Sequence, residues 1–95
     1  MQIIEGFLFM NVDELVSYGV PVCNIRAMTM RYRQNKTRSW ICRKDPQNKR
    51  KILILYKSIP QYTKKKYQIP SEGELLKKYE LQKEEEIRLQ RALTI

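Results

Sequence analysis

Apolar residues open the chain as a short run, Ile3-Ile4 and Phe7-Leu8-Phe9, interrupted by Glu5 and Gly6. The run is too short for a helix, and residues 3–9 read as one strand. Asn11 follows, with Glu14 three positions on, a capping box with Asn in place of Ser or Thr. Leu15, Val16 and Tyr18 give the next segment an apolar face, and Gly19 is suited to end it, so the spacing predicts a helix over residues 12–18. Pro21 suits the first turn of a second helix. There Val22, Ile25, Met28 or Thr29, and Tyr32 recur at helical spacing as a core stripe, while Asn24, Arg26, Ala27, Arg31 and Arg33 lie largely off it. Two helices meeting at a Gly19-Val20-Pro21 corner match a helix-turn-helix.

After Asn35 the pattern changes to strand. Residues 38–44 and 49–56 flank Asp45-Pro46-Gln47-Asn48, good punctuation for a hairpin. The tip is nearly all charged or polar, Asp45 included. Alternation would set Lys49 and Lys51 on one face and Arg50 on the other. The root is apolar, with Trp40, Ile52, Ile54 and Tyr56 assigned to the core. Ser58 and Pro60 carry the cap and first-turn chemistry of a further short helix holding Lys64-Lys65-Lys66. Ile69-Pro70 breaks it. Ser71 and Glu74 form a second capping box, and residues 72–93 read as a helix without a clean heptad, its Glu84-Glu85-Glu86 run a solvated face. The expected fold is α+β: a small winged helix-turn-helix with a β-hairpin wing over residues 1–70, then a C-terminal helical extension or linker over 71–95.

Charge sharpens this picture. The 95 residues, the size of one domain, carry a net charge of +9. Residues 1–23 hold −3 and residues 67–95 hold −1. Residues 24–66 hold +13, with Asp45 their one acid. Such segregation is the footprint of a polyanion-binding surface. Enzyme chemistry finds no support: there is no His to serve Cys or Ser as a base, and the three glycines are isolated, so no phosphate loop forms. Cys23 and Cys42, 19 positions apart, are too few for a structural zinc site and read as reduced intracellular thiols. No cofactor and no metal are expected. No run reaches the length of a membrane span, and residues 1–10 lack the basic flank of a signal peptide.

The succession of short helix, Gly-Val-Pro turn, longer helix, Arg31 to Trp40, basic hairpin, Tyr56-Lys57-Ser58-Ile59-Pro60 and the bases after Thr63 resembles the N-terminal DNA-binding domain of bacteriophage-Mu-type transposases. The resemblance spans roughly residues 8–70. It implies a module that docks on double-stranded DNA of a mobile element, in a bacterial, nucleoid-associated, cytoplasmic setting. The second helix would enter the major groove through Asn24, Arg26, Arg31 and Arg33, and the wing would reach the minor groove through Lys49, Arg50 and Lys51. Lys36, Arg38, Arg43, Lys44, Lys64, Lys65 and Lys66 complete the candidate contacts as phosphate ligands. The three-acid catalytic domain of that family has no counterpart in these residues. The chain therefore reads as a piece of a longer transposase or a stand-alone relative, its last helix leading to a further domain or to self-association. Three other readings stay open: an excisionase-like regulator, a helical protein-interaction adaptor, and an RNA-binding module.

Overall fold

In the computed structural model, which describes residues 1–93, the elements run β1 (Gln2–Ile4), β2 (Phe7–Asn11), α1 (Val12–Ser17), α2 (Val22–Arg33), β3 (Cys42–Lys44), β4 (Ile52–Leu55), α3 (Gln61–Lys66) and α4 (Glu72–Leu93), with a 3₁₀ turn at Tyr56–Ser58. Together they make a small α+β domain with one antiparallel sheet, in the order β1-β2-β4-β3.

The first correction falls on residues 3–9. They form a hairpin, not one strand, because Glu5 (φ +53°) and Gly6 (φ +81°) both turn left-handed between the paired residues Ile4 and Phe7. A two-residue turn with positive φ at both positions matches the twist of the flanking strands. Glycine adopts that conformation freely; Glu5 does so at a cost of about 1–2 kcal/mol. That is why the residue type hid the turn.

Asn11 caps α1 as expected. Its Oδ1 accepts from Glu14 N at 2.7 Å, and its own N–H donates to Glu14 Oε1 at 3.1 Å. Such a cap contributes about 1 kcal/mol. Gly19 (φ +94°) ends the helix, and Val20 N–H returns to the Leu15 carbonyl at 3.2 Å. Pro21 stands at the N-cap of α2, one position earlier than expected. The core stripe of α2 is narrower than its periodicity suggests. Ile25 and Thr29 are buried, the Thr29 hydroxyl donating to the Ile25 carbonyl at 2.9 Å. Val22 and Tyr32 stand at the margin and are exposed, so the core assignment of Tyr32 is corrected.

Residues 38–41 form no strand. They make a strap, with Arg38 left-handed (φ +55°), Trp40 N–H on the Met28 carbonyl at 3.3 Å and Ile41 N–H on Ser58 Oγ at 2.9 Å. Ser58 thus ties this strap to the end of β4, its hydroxyl donating in turn to Leu55 O at 2.7 Å, instead of capping α3. Pro60 is the N-cap of α3. Residues 49–51 lie in the hairpin loop, so the expected strand alternation of Lys49, Arg50 and Lys51 does not arise.

Pairing of Phe9 with Leu55, and of Arg43 with Leu53, sorts the sheet into two faces. Leu8, Met10 and Ile54 turn inward onto Leu15, Val20, Ile25, Trp40, Ile59, Ile69 and Leu75. The outward face is apolar as well. Phe9 and Leu53 are buried there, and two cations lie against the aromatic rings, Arg43 at 6.0 Å from the Phe9 centroid and Lys57 at 5.6 Å from that of Phe7. Trp40, assigned to the core from sequence, is 3% exposed.

The last helix begins inside the core. Leu75 is fully buried, and Leu76 and Tyr79 are half-buried. The Tyr56 hydroxyl donates to the Pro70 carbonyl at 2.8 Å and fixes the approach to α4. Residues 80–93 are all exposed.

Candidate nucleic-acid interface

The candidate contacts on α2 divide between two flanks. Asn24 and Arg26 are two positions apart, as are Arg31 and Arg33, a rotation of about 200° around the helix. Asn24 lies on the α3 side, in a cleft shared with Tyr62 and Lys66. Arg31 follows it on that flank, is half-buried, and its Nη2 donates to the Thr37 carbonyl at 3.1 Å. Arg31 therefore holds the turn that leaves α2. Arg33 lies on the hairpin flank beside the Cys42 thiol. Burial pushes that thiol up, and the Arg33 guanidinium opposes the shift. Arg26 is on the same flank two turns earlier and is exposed.

The hairpin loop is held mainly by backbone and short polar side chains. Asp45 N–H meets the Lys51 carbonyl at 3.0 Å, and Lys51 N–H meets the Asn48 carbonyl at 2.9 Å. Asn48 Oδ1 accepts from Arg50 N–H at 3.1 Å. Asp45, expected in solvent, is covered instead. Its carboxylate accepts from Gln47 N–H at 2.8 Å and from Gln2 Nε2 at 3.0 Å, and these donors hold it below the usual carboxylate range, the Gln47 backbone N–H foremost. Lys49, Arg50 and Lys51 are exposed and their side chains are free of these bonds.

Three further candidates part company. Arg43 lies on the outward sheet face over Phe9, while Lys44, next along the strand, takes the other side. Lys64 folds back, half-buried, with its ammonium 4.0 Å from the Tyr56 ring centroid; burial pulls its pKa down, with Glu72 opposing. Lys65 is exposed, as are Lys36 and Arg38 beyond α2. Lys57, exposed, stands outside the contacts chosen from sequence, and Lys66, read there as a phosphate contact, takes a place in the cleft. Lys57 lies over Phe7, and Lys66 lines the cleft beside Asn24.

Within residues 24–66 no lysine or arginine forms a salt bridge with a carboxylate, and with Asp45 already counted the block keeps its net +13. Among the described residues no cluster of three or more His, Cys, Asp or Glu forms a metal site, and none of the helices is long and apolar enough to cross a membrane. Comparison with protein-family models, with curated proteins and with solved structures finds no match to the chain.

Proposed function

We propose that this domain docks on double-stranded DNA as a winged helix-turn-helix, with α1 and α2 as the helix pair and the β3–β4 hairpin as the wing. The observation that carries the reading is the unpaired basic block of residues 24–66, spread over α2, the hairpin and α3. The hairpin flank of α2 supports it: Arg33 stands beside Cys42 of β3, and Arg26 lies on the same helix flank two turns earlier. Arg26, exposed and unengaged, is the base-reading residue in this scheme, since arginine suits the guanine edge in the major groove. Lys36, Arg38, Lys44, Lys49 and Lys51 serve as phosphate contacts. The resemblance to Mu-type transposase domains narrows the duplex to the ends of a mobile element.

Log affinity for duplex DNA should fall linearly with log salt, with a slope of about −4 to −7 for about five to eight phosphate contacts. Fluorescence anisotropy measures it, and a flat response removes the docking reading. Arg26→Ala should cost about 1–3 kcal/mol on a site recovered by binding-site selection and little on random duplex. Equal losses on both would make Arg26 a phosphate contact.

A second reading has its own observation. Leu81, Ile87, Leu89 and Leu93 are exposed along α4, which favours a helix that pairs with another protein. A protein that binds a partner through α4 and shows no duplex affinity would be that adaptor.

A further inference from the structure

One buried polar group has no use in the fold. The Trp40 indole is 3% exposed, and its Nε1–H is buried with no hydrogen-bond partner among the described residues. Leaving such a donor unmet costs about 1–3 kcal/mol. Trp40 forms one wall of a cleft of about 180 Å³ between α2 and α3. Asn24 and Met28 line it from α2, Tyr62 and Lys66 from α3, and Tyr67 from the residue after α3. Tyr62 is 72% exposed, a large ring left in water on a short helix that could carry any polar residue there.

These groups suit one kind of ligand. The cleft is smaller than the ~300–1,000 Å³ of ordinary small-molecule pockets, room for one planar ring system and little more. The exposed Tyr62 ring offers a face for stacking, which every nucleobase accepts, while the Tyr67 ring already carries the Lys66 ammonium at 5.4 Å. Asn24 both donates and accepts, as the edge of a base requires. The Trp40 indole, its Nε1 buried, supplies an apolar ring as a wall of the cleft. Lys66 supplies a cation at the cleft for the attached phosphate. We propose that this cleft binds a single nucleobase with its phosphate, either as a free mononucleotide or as an unpaired base in a nucleic-acid strand. The proposal stands on the cleft and not on the duplex reading.

Trp40 is the only tryptophan in the chain, so its indole gives one ¹⁵N–¹H resonance and one emission band. The full chain is titrated with AMP, GMP, CMP and UMP, with ribose 5-phosphate and inorganic phosphate as controls, and with DNA duplexes that are fully paired or carry one unpaired base. At millimolar concentration at least one mononucleotide should shift the indole resonance, because Trp40 lines the cleft, and neither control should. Tyr62→Ala should weaken that response by about tenfold, the scale of one lost base–aromatic stack, with the thermal midpoint unchanged. A larger indole shift with the unpaired-base duplex than with the paired one identifies a strand as the source. A shift with mononucleotides and none with either duplex identifies the free nucleotide. Equal shifts with inorganic phosphate would overturn the proposal in favour of simple anion binding. An indole that no mononucleotide and neither duplex moves would overturn it. Duplex binding by anisotropy with an unmoved indole leaves docking in place and removes the cleft ligand. Indole shifts without duplex affinity do the reverse.

Discussion

Alanine at Lys49, Arg50 and Lys51 together is expected to weaken duplex binding by several kcal/mol while leaving stability within about 0.5 kcal/mol. The asymmetry follows from how the loop is built. Its bonds run through the Arg50 and Lys51 backbone N–H groups and through Asp45 and Asn48, all of which the triple variant keeps. None of the three residues has a left-handed backbone, so alanine fits each without strain. Loss of three exposed cations should also make the salt slope shallower by about 2–3 units. Arg50 is the residue expected to enter an A·T-rich minor groove, where the negative potential is enhanced and a weakly hydrated guanidinium is favoured over an ammonium. Binding-site selection with wild type and triple variant tests this part. Retention of an A·T preference by the variant places the loop on phosphate alone. Binding as tight as wild type means that the hairpin is not a wing.

Leu75→Ala is expected to cost about 2–5 kcal/mol, a large share of the 5–15 kcal/mol that holds a typical domain together. Leu75 is fully buried against the sheet and helices, five residues beyond the boundary that the Ile69-Pro70 break suggested. Removing residues 81–95 should instead leave the urea midpoint nearly unchanged, because the described side chains of that stretch are exposed. A cut after residue 75 would take away the half-buried Leu76 and Tyr79 and should destabilise. Large loss of stability on removing 81–95 would show that the far half of α4 packs in solution.

Much of this architecture is legible in the chain because it is written in local chemistry. Asn11 and Glu14 announce α1, Gly19 ends it, and the Ile and Leu of β4 announce a strand. What stayed hidden depends on distant partners. Glu5 gives no sign of a left-handed turn until the flanking strands pair. Ser58 resembles a helix cap until Ile41 arrives to donate to it. Asp45 reads as a solvated tip residue, and only Gln2, 43 positions away, reveals it as a tie between the loop and β1. Tyr32 has the right spacing for the core, but α2 turns it to the edge of a stripe only as wide as Ile25 and Thr29. The basic block was visible as charge, yet its division into two flanks of α2, with Lys64 folded over Tyr56, is a matter of packing and not of composition.

The two-sided apolarity of the sheet bears on how the chain avoids misalignment. Along β4 the order Ile52-Leu53-Ile54-Leu55 presents nearly equivalent side chains inward and outward, and β2 repeats the ambiguity with Phe7-Leu8-Phe9-Met10. In most half-buried strands a slip by one residue would expose the whole hydrophobic set and be rejected on that ground. Here the slipped strand would bury almost as much. The choice between the two alignments must therefore be made at the strand ends, by the two-residue Glu5-Gly6 turn, the Ser58 hydroxyl and the Asp45–Asn48 loop. These polar positions, none of them part of the core, act as the proofreading marks of the sheet.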